Sequence, residues 1–228
     1  MWEQRAQRAR VLAERYPASR EILIFYAGLA EWQGRVPAEG LNHLRNVFPS
    51  LLDLVARTGP PTLSEAARKL DLAQFDELIR EYWESPGTFS AMEFFARALL
   101  QPYAANLPAG FDCPWCRQPP QAGCLRTQAE GLTLELVCPL CLRRRPFLRT
   151  RCPGCDESGE AKLASFSAPE FPHLRIQACD TCHGYLLVVD LSRDPSAVPE
   201  VDELAGLPLD LWALERGYHK LQPNLAGI

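Results

Sequence analysis

The chain has 228 residues, 47% of them hydrophobic and 23% charged, with a net charge of −4; this composition belongs to a folded globular protein and excludes a disordered or fibrous chain. The longest apolar run, Ile22 to Ala30, is far short of the roughly 20 residues needed to span a bilayer. Nine cysteines could suit a secreted disulfide scaffold, but the N-terminus "MWEQRAQRARVLAERYP" is charged and amphipathic and lacks the apolar core of an export signal, so a cytoplasmic location is expected.

Residues 1–108 contain no cysteine and read as a helical domain. Apolar residues recur at threes and fours, predicting helices near 3–15, 20–33, 42–57, 71–84 and 90–104. Another opens at Thr62-x-x-Glu65, a capping box after Pro60 and Pro61. Pro17, Pro37, Gly59 and the turn Ser85 to Gly87 separate these segments. Trp32, Phe75, Tyr82, Trp83, Phe94 and Phe95 are read as packing residues rather than as a partner groove. The domain boundary is placed in "LPAGFD", Leu107 to Asp112.

Beyond it the pattern changes to short β-prone runs at 132–137, 174–178 and 185–191, expected to form small antiparallel sheets. The predicted fold class is α+β, with domains at 1–108, 109–150 and 151–194, the last two being four-cysteine β modules. A tail, 195–228, is acidic and carries a short helix, Leu209 to Tyr218, that packs back on the body. Formal charge is −1 over 1–108, +4 over 109–151 and −7 over 152–228.

Four CxxC pairs stand in order: Cys113/Cys116, Cys138/Cys141, Cys152/Cys155 and Cys179/Cys182. The fourth, read alone with His183, matches the spacing of a c-type haem attachment site. Three further pairs argue for metal knuckles instead, in which a tight turn aims two sulfurs at one ion. Intervals of 21 residues (Cys116 to Cys138) and 23 residues (Cys155 to Cys179) are close to the zinc-ribbon range. They favour pairing the first knuckle with the second and the third with the fourth, interleaved and nested pairings being the alternatives. Each four-sulfur site accepts zinc or a single iron, giving two metal ions per chain. A closed set of four sulfurs leaves no position for a hydrolytic water.

Cys124 falls outside the knuckles and is read as a small buried hydrophobe, reactive only if exposed beside a cation such as Arg126. His183 is read as a turn residue, and His43, His173 and His219 form no ligand or catalytic pattern. The basic run "RRRPFLRTR", Arg143 to Arg151, is a solvated face or a surface for an acidic partner or nucleic acid. A nucleic-acid-binding zinc ribbon would use Arg143, Arg144, Arg145, Arg149 and Arg151; the net negative charge and the lack of interleaved aromatics count against it. A thiol oxidoreductase or iron redox protein is a third class.

The ordered set "CPWC", "CPLC", "CPGC", then "LRIQACDTCHGYLLVVDL" and "LDLWALERGYHKLQPN", resembles the FdhE family of formate dehydrogenase accessory proteins from residue 111 onward. The resemblance implies a cytoplasmic, non-catalytic maturation factor with two rubredoxin-like modules. It would engage the catalytic subunit of a molybdenum- or tungsten-dependent formate dehydrogenase, and the eight knuckle cysteines would ligate zinc or iron. Two departures are visible. Family members are longer, so part of their helical region is expected to be absent here. Rubredoxin-type knuckles also favour glycine after the second cysteine, where positive φ is needed, whereas Arg117, Leu142, Asp156 and His183 stand there.

Overall fold

The apolar periodicity of the first half becomes six helices in the computed structural model, which describes all residues except 38–40, 85–90, 109–112, 130, 226 and 228. They are α1 (Trp2–Arg15), α2 (Arg20–Arg35), α3 (Leu41–Thr58), α4 (Pro61–Lys69), α5 (Phe75–Glu84) and α6 (Ala91–Ala105). The expected turn at Ser85 to Gly87, and most of the boundary segment, lie outside the described residues. Ala6, Ala9 and Ala13 of α1 are buried against α2, where Leu23, Ala27 and Ala30 repeat the spacing. Alanine leaves little side-chain volume between the two backbones, so these helices pack more extensively than any other helix pair described.

Helix starts differ from expectation in one instructive place. Thr62 does not cap α4, which begins at Pro61 with Pro60 as its N-cap and no side-chain cap. Proline is pre-organised for the first helical position, which moves the start one residue earlier and leaves Thr62 inside the first turn, where its hydroxyl cannot act as the cap. The capping box is formed instead by Asp71 and Gln74: Ala73 N–H donates to Asp71 Oδ1 at 2.8 Å, and Asp71 N–H donates to Gln74 Oε1 at 3.1 Å.

The cysteine-bearing half forms one seven-stranded sheet: β1 (Ala122–Gln128), β2 (Gly131–Val137), β3 (Arg144–Phe147), β4 (Leu163–Ser167), β5 (Leu174–Cys179), β6 (Gly184–Asp190) and β7 (His219–Lys220). The order is β3-β2-β1-β6-β5-β4, with β7 also on β6. Each module is an antiparallel meander, β1-β2-β3 and β4-β5-β6. The two meanders are not separate sheets, because β1 and β6 pair in parallel with Gly123 opposite Val188 and Leu125 opposite Asp190. Glycine permits this join, since a Cβ at Gly123 would come within 3.0 Å of Val188 and 3.1 Å of Leu134. Strand β6 is buried at every position, as suits a central strand covered on both faces.

Two helices follow, α7 (Pro199–Ala205) and α8 (Leu207–Glu215). The second begins two residues before the predicted tail helix; the first carries no helix signal in the sequence, because "PEVDELA" reads as an acidic spacer. Yet Glu200, Asp202, Glu203 and Asp210 are all buried. Each has partners. Arg5 donates to Glu200 at 2.5 Å, while Arg8 donates to Asp202 at 3.0 Å and to Asp194 at 2.6 Å. Lys220 reaches Glu203 at 3.0 Å and Asp210 at 3.2 Å, and Tyr185 donates to Asp210 at 2.8 Å. The arginines of α1 thus hold the tail helices to the helical domain, and Lys220 holds them to the sheet.

Burial pushes the Glu203 and Asp210 carboxyls above their ordinary range, and burial alone would lower Lys220, but the two carboxylates more than reverse that and raise it. One buried cation therefore serves two buried acids. Replacing Lys220 by Met should cost about 3–5 kcal/mol in urea unfolding, because it strands both carboxyls. Adding Glu203→Gln and Asp210→Asn to that variant should recover most of the loss.

Candidate metal centres

Backbone hydrogen bonds shape all four knuckles. Cys113 leads into a 3-10 turn, Pro114–Arg117, in which Cys116 N–H donates to Cys113 C=O at 3.0 Å. Cys138 follows β2 and Cys141 ends the turn after it, with Leu142 N–H donating to Cys138 C=O at 3.2 Å. The third knuckle is closed by Asp156 N–H to Cys152 C=O at 2.9 Å. The fourth links β5 to β6. Backbone N–H groups also point at sulfur: Gly154 N lies 3.3 Å from Cys152 Sγ and Gly184 N 3.4 Å from Cys182 Sγ.

The structure brings together Cys113, Cys116, Cys138 and Cys141 in one cluster and Cys152, Cys155, Cys179 and Cys182 in another, with the sulfurs of each lying within 4.8 Å of one another. Measured pairs are 3.9 Å (Cys113–Cys138), 3.4 Å (Cys116–Cys141), 3.7 Å (Cys152–Cys182) and 3.7 Å (Cys155–Cys179). An ion with metal–sulfur bonds of about 2.3 Å in a regular tetrahedron sets its sulfurs about 3.8 Å apart. The donor sets therefore fit zinc or iron in both number and spacing.

Without a cation, such a cluster resists ionisation. Burial pushes the Cys116 and Cys152 thiols up to about 12 and also raises Cys182. Hydrogen bonding with Cys113 and Cys141 raises Cys138, and Cys141 is lowered as the acceptor from Cys113 and Cys138. One thiolate per group can be shared among its neighbours; four need a positive charge at their centre.

The residues following the second cysteines resolve the glycine question. Leu142, Asp156 and His183 adopt positive φ, at 59°, 63° and 56°, despite their side chains. The knuckle geometry overrides the steric cost of the left-handed region, about 1 kcal/mol or more per residue. Arg117 is the exception, lying at the end of its 3-10 turn. Leu142→Gly and His183→Gly should each leave metal content unchanged and raise the melting temperature slightly, since glycine adopts this conformation without the Cβ clash.

The two clusters differ in setting. The first is under the helical domain: Trp115, wholly buried, stacks on Tyr82 of α5 at 4.5 Å, and Arg97 and Gln101 of α6 donate to Pro139 C=O at 3.1 and 2.8 Å. In the second, Cys155 is exposed and Cys182 half-buried. His183 joins neither cluster; its ring lies 6.1 Å from that of Tyr218. His173, Asp194 and Asp202 also form a group of ligand-type side chains, a cluster without a sequence signal because its members are far apart in the chain. Arg8 bonds both carboxylates, so its guanidinium already supplies the cation there.

Cys124 is buried on β1 with its sulfur 3.7 Å from the Glu135 carboxylate, and Arg126 pairs with that carboxylate at 3.7 Å. Burial pushes its thiol up to about 11. In native protein at pH 8, iodoacetamide should leave Cys124 unmodified, and modification should appear only on unfolding, as mapped by peptide mass. The basic run is partly committed to internal bonds. Arg143 donates to Leu107 and Pro108 carbonyls, the latter at 2.7 Å, and Arg151 pairs with Asp156 at 3.0 Å. No helix among the described residues is long and apolar enough to cross a membrane.

A helical domain clamped to a sheet with two four-cysteine clusters able to bind metal defines the class: an α+β protein of paired CxxC modules. The family model for the FdhE C-terminal domain matches residues 150–226. The "Protein FdhE homolog" of Aquifex aeolicus (strain VF5) is 27% identical over 95% of this chain and 92% of its own length. The homolog from Pseudomonas putida is 35% identical over 52% of this chain, but the alignment spans only 39% of that protein. The crystal structure of the FdhE protein from Pseudomonas aeruginosa superposes with a TM-score of 0.70 at 26% identity, covering 99% of this chain and 95% of that one. The chain is thus similar to FdhE proteins in sequence and in fold, and its residues 150–226 match the FdhE C-terminal domain.

Proposed function

We propose that this protein is a cytoplasmic, non-catalytic accessory factor that binds the catalytic subunit of a formate dehydrogenase and is needed for that enzyme to become active. In this reading Cys113, Cys116, Cys138 and Cys141 hold one metal ion, zinc or iron, and Cys152, Cys155, Cys179 and Cys182 hold a second. The segments 1–108, 109–150, 151–194 and 195–228 act as helical body, two metal modules and a clamping tail. The observation that carries the reading is the pair of closed four-sulfur clusters in a chain that resembles FdhE proteins along nearly its whole length. Four sulfurs around one ion hold a knuckle pair rigid, and structural zinc contributes on the order of 10–16 kcal/mol in finger peptides. The ions would supply cross-linking rather than chemistry, and the chain's own residues would present a fixed surface to an immature partner.

The test is co-expression with a formate dehydrogenase catalytic subunit, followed by affinity purification and metal analysis. Two metal equivalents per chain and a co-purifying subunit are expected. Cys179→Ser with Cys182→Ser should lose one equivalent and the partner; retention of both would refute the assignment. Because those cysteines form the turn from β5 into the buried β6, Cys155→Ser at the exposed position provides a milder variant that should weaken the second ion alone.

A further inference from the structure

The accessory role leaves open which surface meets the partner. We propose that the outer edge of β4 receives an extended peptide segment with alternating apolar and acidic side chains, added to the sheet as a further antiparallel or parallel strand. The inference rests on the accessory-protein reading only for the source of that segment.

The sheet has two ends, and they are treated differently. At one, β3 has the sequence Arg-Arg-Pro-Phe; its proline and charges are the devices that protect an edge from unwanted pairing. At the other, β4 reads Leu-Ala-Ser-Phe-Ser, with neither charge nor proline, and among the described residues it pairs only with β5. An antiparallel edge strand turns the N–H and C=O of alternate residues outward, ready for a new strand.

The two faces flanking that edge differ in chemistry. Register places Phe166 opposite Ile176 and Ser165 opposite Gln177, so successive β4 residues face opposite sides of the sheet. On the Phe166 side lies a groove of about 920 Å³ whose walls include Tyr16, Phe171, Leu209 and Trp212. Phe166 and Trp212 meet there at 4.8 Å, as do Tyr16 and Phe171. On the Ser165 side a recess of about 420 Å³ is lined by Arg149, Arg151 and Arg175, with Glu160 as its one acidic side chain and Cys152 and Cys179 in its wall. Arg151 and Arg175 also pair with Asp156 and Asp190, whereas Arg149 is exposed. A strand laid along β4 would send every second side chain into the apolar groove and the others toward the guanidinium groups. Apolar–acidic alternation is the pattern that satisfies both.

The probe is a fluorescein-labelled peptide of about nine residues alternating valine and glutamate, long enough to cover β4. It is titrated against the full, metal-loaded chain by anisotropy. Saturable binding is expected. N-methylation of alternate peptide amides should weaken it about tenfold, by removing two or three main-chain hydrogen bonds. Arg149→Ala with Arg151→Ala should weaken it several-fold and flatten its salt dependence, and Trp212→Ala should weaken it without altering that dependence. The proposal is overturned if the N-methylated peptide, or one with the same residues in two blocks, binds equally well, or if no saturable binding occurs. Where the catalytic subunit still co-purifies but the peptide fails, the β4 surface is wrong and the accessory reading survives. Peptide binding without co-purification supports the β4 surface and counts against the accessory reading.

Discussion

Four sulfur atoms within 4.8 Å of one another cannot all carry negative charge unless a cation sits among them, and this protein assembles that arrangement twice. Around each cluster the chain commits features that are costly on their own account. Three side-chain-bearing residues accept a left-handed backbone, and buried thiols lie beside other thiols instead of apolar atoms. A local cost of this kind persists only where the surroundings fix it. Here the surroundings are the strands themselves, since Cys138 follows β2 directly and Cys179 is the last residue of β5.

The second constraint is charge buried far from the cysteines. The segment from Asp194 to Asp210 is acidic in sequence, yet it lies between helices and sheet with its carboxylates held by Arg5, Arg8 and Lys220. A buried ion pair is weak evidence for net stability, because desolvation offsets much of the attraction. Its effect on specificity is plainer. A greasy tail could slide over the groove between α1 and the sheet, whereas α7 can satisfy Glu200 and Asp202 only where the two arginines of α1 reach them. The join at β1–β6 then makes both modules one body, so the clamp positions the two clusters together.

Much of this was legible from residue order. Helix periodicity located all six N-terminal helices within a few residues, and knuckle spacing indicated which CxxC pairs come together. What escaped had physical reasons. Strands β1, β3 and β4 are short or polar, and "AGCLRTQ", "RRPF" and "LASFS" lack both the apolar alternation that marked β2 and β5 and the continuous apolar run that marked β6. They are strands because neighbours supply their hydrogen bonds, a tertiary effect that local propensity does not contain. The parallel join depends on Gly123, whose missing Cβ has no local signature. The burial of the tail acids was hidden because their cations, Arg5 and Arg8, stand almost 200 residues away in sequence.

The two clusters have the same donor set but different mechanical positions, which argues for a division of labour. The first is built into the domain contact: Trp115 stacks on Tyr82, and Pro139 receives hydrogen bonds from α6, so loosening that knuckle pair would loosen the helical domain as well. The second faces solvent through Cys155 and, through Cys179 at the end of β5, sets the register of the adjoining edge strand, where Leu163 pairs with Cys179. A change at the first cluster would therefore be felt as a change in global stability. One at the second would be felt first at the edge of the sheet, where β4 is paired along one side only among the described residues.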